Sequence, residues 1–166
     1  MLLTSTCFWI EPPPPRSFAG LMELYEANYI RFRRLCPGLE NIEGGAVSRV
    51  RGALDLHLKL LARSRHTSTV SLTYYFKDSH GGHCPNPNVR LRVYHDALQT
   101  QVLSYSCVPL RHAGLADHRT TLNHRWMMNR FLFRWLGYCV RQGHVYSSTL
   151  ADQFRQPRIV QGAVLG

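Results

Sequence analysis

The alternation of apolar and polar residues between positions 54 and 76 constrains the fold of this chain more than any other feature. Apolar side chains occupy every second position of 54–60 and again of 70–76. A period of two places these side chains on one face of a β-strand. The polar segment 63–66 between the runs is too short for a parallel crossover, so the two runs predict an antiparallel hairpin. The predicted inward residues are Leu54, Leu56, Leu58, Leu60, Val70, Leu72, Tyr74 and Phe76.

Further strands are predicted around this hairpin. A third strand is predicted at residues 89–94, where valine and leucine alternate with arginine. A turn follows it and leads into a fourth strand near 98–106, whose alternation is weaker and indicates no inward face. Residues 47–51 are a further candidate for pairing at a sheet edge. Because tight turns join the strands, they predict an antiparallel meander.

A helix is predicted before the strands. Ser17 is its predicted N-cap residue, and the segment Cys36-Pro37-Gly38 ends the pattern. Between them, apolar residues recur at steps of three and four, which places them on one face of a helix. That face consists of Phe18, Leu21, Met22, Tyr25, Tyr29, Phe32 and Leu35.

A second helix is predicted from Thr121 or Asn123 to about Gln142, with Gly143 as its C-terminal stop. Its broad apolar stripe consists of Met128, Phe131, Leu132, Trp135, Leu136 and Cys139. Two such helices are available to cover the apolar face of the sheet. The predicted fold class is therefore α+β, with an antiparallel meander of about four to five strands packed on one face by an N-terminal and a C-terminal helix.

The domain organisation follows from length and local composition. A chain of 166 residues is long enough for one domain with a substantial core, which is predicted at residues 17–146. The prolines at 12–15 favour an extended segment, so residues 1–16 are predicted to form a disordered tail. Residues 147–166 have no strong periodicity and are predicted as a C-terminal tail or irregular segment. No stretch approaches the roughly 20 apolar residues of a membrane-spanning helix.

The cysteines and the first residues predict a cytoplasmic location. Five cysteines at scattered spacings match no disulfide framework and indicate reduced thiols. The first ten residues are mildly apolar but lack a basic n-region, so they predict no signal peptide.

The charge of the chain favours an acidic partner. The formal net charge is +10, which creates a positive field that attracts phosphates and acidic proteins. Lys59 and Lys77 are the only lysines, and a GC-rich genome would favour arginine by codon usage alone. The compositional explanation is slightly better supported than a surface selected for binding polyanions. The predicted partner is RNA or an acidic protein and not a membrane, and the sequence leaves the oligomeric state open.

Two sets of residues are candidates for contact with an anionic partner. The first lies on the polar face of the strands and combines cations with aromatic rings. It consists of His57, Lys59, Tyr75, Arg90 and Arg92. The second is an arginine stripe whose guanidinium groups suit bidentate contacts. It consists of Arg130, Arg134 and Arg141 on the second helix, with Arg31, Arg33 and Arg34 at the end of the first. Ordinary solvent-exposed faces are the alternative for both sets.

A candidate metal site lies in a short glycine-bearing loop. His80, His83 and Cys84 carry zinc-binding groups, and His95 or Cys107 would complete a tetrahedral set. The alternative is an exposed loop that happens to carry imidazoles, because structural zinc sites usually pair two Cys-x-x-Cys-like knuckles and only one cluster is present here.

A candidate ligand site is the predicted turn at His95 and Asp96, in a pocket shared with the loop at 80–84. The structural alternative is that Asp96 bonds to the backbone of its own turn, as Asx residues readily do. No nucleophile is placed beside the pair, so no catalytic residue is predicted. Nucleotide-binding and hydrolase signatures are absent. The sequence therefore indicates no cofactor and favours a binding protein over an enzyme.

Three segments of the chain, 21–29, 89–97 and 129–139, resemble the YqiB-like family of small, uncharacterised bacterial proteins. The most specific piece is the turn Tyr94-His95-Asp96-Ala97. The resemblance covers residues 21–144 in the same order. It implies a cytoplasmic bacterial protein and brings no activity, ligand or catalytic residue. Residues 1–15 depart from the family pattern, which begins just before the first helix.

Overall fold

The computed structural model describes residues 17–106 and 122–146. The predictions for residues 1–16 and 147–166, and for a helix cap at Thr121, lie outside these ranges. In chain order the elements are α1 (Phe18–Leu35), a short 3₁₀ helix (Leu39–Asn41), β1 (Gly45–Ser48), β2 (Leu56–Arg63), β3 (Thr67–Lys77), β4 (His83–Tyr94), β5 (Gln99–Ser106) and α2 (Leu122–Arg141).

The five strands form one sheet in the order β1-β2-β3-β4-β5, and each neighbouring pair is antiparallel. This topology confirms the predicted α+β meander. It follows from the short connections, because antiparallel neighbours need only a tight turn. The edge pairing proposed near residue 47 is present as β1, which pairs with β2.

The core lies between one face of the sheet and the two helices. Inward residues of β2, β3, β4 and β5 pack in one cluster with side chains from both helices. Its members include Phe32, Leu35, Leu56, Leu58, Val70, Leu72, Tyr74, Val89, Leu91, Val93, Val102, Leu132, Trp135 and Leu136. A second, smaller cluster joins Leu21, Leu24 and Tyr25 of α1 to Trp126 and Phe133 of α2. The apolar stripe predicted for the second helix is confirmed, with Phe131 partly buried.

Three residues predicted to face the core are exposed. Phe18 is 69% exposed because it is the first residue of α1, and Leu54 is 48% exposed because it precedes β2. Phe76 is 43% exposed and follows a register shift between Thr73 and Tyr75, near the far end of the β3–β4 hairpin. Alternation predicts an inward side chain only where the strand is regular and the helices cover it.

The strand β4 is longer than predicted, because it begins at His83 rather than at residue 89. Its first residues pair with the end of β3. Pro87 lacks an N–H donor, and it lies where the register shift interrupts the β3–β4 ladder. A proline is tolerated at such a bulge. His83 and Cys84, in the segment interpreted as a loop, therefore belong to the strand.

The two helices run in the same direction over the sheet. The side chain of Asn28 donates to the backbone carbonyl of Asn129, and one turn later Arg31 donates to the carbonyl of Phe133. The hydrogen-bonded residues are therefore met in the same order along both helices, as expected for parallel helices. The C-terminal ends of the helices, which carry many of the arginines, therefore lie side by side.

The side chain of Asn129 joins α2, α1 and β5 in the core. Its Oδ1 accepts a hydrogen bond of 3.0 Å from the backbone N–H of Val102, and its Nδ2 donates to the carbonyl of Arg125 at 2.8 Å. Asn28 Nδ2 lies 3.1 Å from the Asn129 carbonyl and 3.5 Å from Asn129 Oδ1. Both asparagines are fully buried, so these polar groups have no water to replace a lost partner.

The end of α2 is tied to β1, β2 and α1. Tyr146 donates its hydroxyl to the Leu56 carbonyl at 2.8 Å and its N–H to the Leu35 carbonyl at 2.7 Å. His144 Nδ1 lies 3.0 Å from Ser48 Oγ, and the Nε2 of this buried imidazole has no partner. These contacts fix the helix against the sheet after Gly143, whose positive φ ends the helical turn.

Replacing Asn129 by alanine should lower the free energy of unfolding by about 2–3 kcal/mol, because the buried Val102 N–H loses its acceptor and a small cavity forms. Asn123→Ala, an exposed change in the same helix, is the matched control and should alter stability by less than about 0.5 kcal/mol. Urea unfolding monitored by circular dichroism measures both. Equal effects of the two changes would contradict the role assigned to Asn129.

Burial lowers the pKa of His144 below its ordinary value. The unfolded chain then binds a proton more readily than the folded chain. His144 therefore contributes stability that is complete above about pH 6.5 and is lost as the pH falls further. His144→Asn should reduce the loss of stability between pH 7 and pH 5, measured by urea unfolding at each pH. Parallel stability curves for the variant and the natural chain would show that His144 does not titrate in this way.

Candidate functional site

The sheet has an open face, on the side away from the helices. It comprises the outward side chains of β2 to β5, and no helix or strand of the described ranges covers it. The cations Lys59 and Arg90 are exposed on this face, and Arg92 is half-buried. The sequence prediction that these three residues share a face is in accord with the strand register.

The register places the three cations close together. Lys59 is opposite Ser71, which is in turn opposite Arg90. These cations on β2 and β4 are two strand spacings apart, about 10 Å between backbones. Arg92 is two residues farther along β4, a displacement of about 7 Å. Small serine and threonine side chains lie between these three cations. The surface there is therefore polar and has no bulky side chains between the cations.

The five strands contain no aspartate or glutamate. The ion pairs in the described ranges are Arg33 with Glu40, at 3.5 Å, and Arg49 with Asp55, at 3.2 Å, and neither includes a cation of the open face. The charges of Lys59, Arg90 and Arg92 are therefore not neutralised by the part of the chain that the structure describes. An anion that reaches this face meets a net positive field.

A pocket lies at one end of the open face, next to the cations. It is an open depression of about 600 Å³. Its lining consists of Ala53, Leu54, Asp55, His57, Tyr75 and His83. The rings of His57 and Tyr75 meet edge to face, with centroids 4.8 Å apart and planes at 82°. Burial lowers the pKa of His57, so its imidazole is neutral at pH 7 and offers one donor and one acceptor.

The arginine stripe lies on the opposite layer of the molecule. Arg130, Arg134 and Arg141 are exposed on α2, whose buried stripe packs on the other face of the sheet. Arg31 donates to the Phe133 carbonyl at 2.6 Å and lies 3.4 Å above the ring of the same residue. The candidate residues for an anionic partner thus divide into two groups that cannot form one site.

His95 and Asp96 do not form a pair. His95 Nε2 lies 2.8 Å from Ser68 Oγ, and burial lowers the pKa of this imidazole. Asp96 Oδ1 accepts from the N–H of Ala97 within the same turn. This is the structural alternative anticipated for Asp96.

Within the described residues, His95 and Asp96 lie far from residues 80–84 and share no pocket with them. The turn at His95 adjoins the start of β3, whereas His83 pairs with Lys77 at its end. A strand of 11 residues separates these two ends, about 30 Å. Only the segment at 80–84 contributes to the pocket of the open face, through His83.

The candidate metal ligands do not converge. His83 and Cys84 are consecutive in β4, so their side chains point to opposite faces, and His80 lies in the turn before the strand. Asp78 holds this turn by accepting from the N–H groups of His80 and Gly82. Within the described residues, no group of three His, Cys, Asp or Glu side chains is arranged to hold a metal ion. Cys107 lies outside those residues.

The buried thiols are not activated nucleophiles. Burial raises the pKa of Cys36 to about 12 and that of Cys139 to about 11. Both therefore remain protonated at neutral pH, and the thiolate is the reactive form. Tyr74, whose hydroxyl lies 3.5 Å from Cys139 Sγ, also has a pKa raised by burial.

Sequence reasoning missed the walls of the pocket. Ala53 and Leu54 belong to the loop before β2, and no periodicity indicates that this loop folds toward Tyr75. Asp55 was interpreted only as an outward strand residue. The lack of acidic residues in the strands was not visible in the sequence, because the strand predicted at 54–60 includes Asp55 and the observed strand begins at Leu56.

The described helices include none that is long and apolar enough to cross a membrane. No solved structure matches the chain. The uncharacterized protein YqiB of Escherichia coli strain K12 is 28% identical to it over 130 residues, which cover 76% of this chain and 90% of that protein. YqiB of Escherichia coli O157:H7 matches to the same extent.

A family model described as a protein of unknown function, DUF1249, matches residues 31–145. The matched range begins within α1 and includes all five strands and α2. It therefore contains the open face, the pocket and most of the core. The resemblance to YqiB-like proteins is confirmed, and the chain belongs to the DUF1249 family of proteins of unknown function.

Proposed function

We propose that the protein binds single-stranded nucleic acid across the open face of its sheet. The observation that carries the proposal is the position of Lys59, Arg90 and Arg92 on an uncovered sheet face whose strands contain no carboxylate. Phosphates bound there would release counterions without first displacing an internal ion pair. RNA is one of the two partners that the charge of the chain favours, the other being an acidic protein.

Aromatic rings beside the cations favour nucleic acid over an acidic protein. An acidic protein would satisfy the same three charges. Bases, however, also stack on aromatic side chains, and such stacking adds affinity that a carboxylate does not obtain. Tyr75 is 43% exposed at the end of the face, next to His57. The combination of cations with an accessible ring therefore supports a nucleic acid as the partner.

The same rings favour a single strand over a duplex. Bases in a duplex are stacked on each other, so their faces are not accessible to a side chain. An open sheet with exposed rings is a surface on which unpaired bases lie flat while the backbone follows the cations. The small side chain of Ser71, which lies between Lys59 and Arg90, leaves space for such a strand.

The helix arginines have a separate explanation. Arg33, Arg34 and Arg141 lie in the last turns of their helices, where positive charge complements the helix dipole. Arg31 is occupied by the Phe133 carbonyl and ring. The proposal therefore assigns no nucleic-acid contact to this layer.

We place this activity in the bacterial cytoplasm. Cys36, Cys84 and Cys139 are free thiols in the structure, which supports a reducing compartment. The matched relatives are bacterial proteins.

Removing two cations of the open face should weaken binding and reduce its salt dependence. For the double variant R90A/R92A, the slope of log Kd against log salt concentration should fall by about 1.4, because each phosphate contact on a single strand contributes about 0.7. Fluorescence anisotropy with a labelled single-stranded RNA over a series of salt concentrations measures this slope.

The matched control is R130A/R134A, which removes the same charge from the helical layer and should leave the slope nearly unchanged. Equal losses in both double variants would show that net charge alone, and not the open face, attracts the RNA. DNA of the same sequence is the second arm and distinguishes a general single-strand binder from one that recognises the 2′-hydroxyl. An acidic peptide that binds more tightly than either nucleic acid would overturn the proposal.

A further inference from the structure

We infer that the pocket at the end of the open face holds one unstacked base of the bound strand, and that it selects a base with an exocyclic amino group. The inference rests on the proposed function, since it assigns a base to one end of the same nucleic-acid path. It depends on three features of the pocket, which are its two rings, the partly exposed carboxylate of Asp55 and the short distance between the pocket and the cations.

The rings of His57 and Tyr75 form two walls of the pocket that meet at almost a right angle. Tyr75 is 43% exposed, so part of its ring remains accessible for stacking. Leu54, which is 48% exposed, supplies an apolar wall. A volume of about 600 Å³ accommodates a nucleoside. A planar aromatic ligand suits these surfaces better than an extended peptide does.

Asp55 gives the pocket a hydrogen-bond acceptor. Its Oδ2 lies 3.2 Å from Arg49 Nε, and its side chain remains 43% exposed, so the carboxylate is accessible to a ligand in the pocket. A carboxylate oxygen accepts from the amino group of cytosine and of similar bases. Uracil carries a carbonyl oxygen at the corresponding position, and its one ring N–H is flanked by two carbonyl oxygens that repel a carboxylate. Asp55 therefore favours cytosine over uracil.

The pocket and the cations are close enough to serve neighbouring nucleotides. His57 and Lys59 are two residues apart on one face of β2, a separation of about 7 Å. A base that enters the pocket thus leaves its own phosphate and the next beside Lys59 and Arg90. The negative charge of Asp55 is partly balanced by Arg49, which reduces its repulsion of the phosphates.

The test compares short oligocytidylate and oligouridylate RNAs of equal length by fluorescence anisotropy. These polymers differ at the base edge that Asp55 contacts. The natural protein should bind oligocytidylate about 10-fold more tightly, the effect of one hydrogen bond to a charged group. Asp55→Ala should abolish this ratio, whereas Asp96→Ala, which removes the same charge from a distant turn, should preserve it. The ratio is used because the loss of a negative charge raises the affinity for both polymers.

Tyr75→Leu tests the stacking wall while retaining apolar bulk. It should weaken binding of oligocytidylate by about 5- to 100-fold, the range for the loss of one stacked base. Tyr138→Leu is the matched control, because Tyr138 is similarly exposed on α2, and it should have no effect. Circular dichroism establishes that each variant is folded.

Two results would overturn the inference and distinguish it from the proposed function. If both polymers bind equally, with the salt dependence of the open-face cations intact, the base pocket is wrong and the nucleic-acid surface stands. If neither polymer binds with a salt dependence that R90A/R92A reduces, the proposed function fails and the base pocket fails with it.

Discussion

The buried amide of Asn129 is the contact on which the relative position of the helices and the sheet depends. It accepts from the backbone of β5, donates within α2 and lies against Asn28 of α1. Apolar packing alone is tolerant of small sliding movements, whereas buried hydrogen bonds require one arrangement. The three elements are therefore fixed with both helices on one face of the sheet.

That arrangement determines which surface of the protein exposes its cations to a binding partner. Because both helices cover one face, the other face remains uncovered by any element that the structure describes. The strands carry cations and no carboxylates, while the acidic residues of the described ranges lie in α1, the 3₁₀ helix, loops and turns. A chain with a formal charge of +10 thus has a flat basic surface with an aromatic pocket at one end.

The fold was largely predictable from the sequence because it depends on periodicity. Alternation in β2 and β3, and steps of three and four in the helices, gave the correct elements and their antiparallel order. The buried pair Asn28 and Asn129 was not predictable, because polar residues inside a helix pattern do not show whether they face solvent or each other. The pocket was also missed, since loop paths such as that of Leu54 depend on tertiary contacts.

The most direct test of whether RNA binds the open face is a nuclear magnetic resonance titration of the protein with a short single-stranded RNA. The arginine Nε–Hε signals are followed during the titration. Contact with the open face should shift the signals of Arg90 and Arg92 and leave those of Arg130 and Arg134 in place. Shifts confined to the two helix arginines would contradict the account, because they would place the nucleic acid on the layer that covers the core.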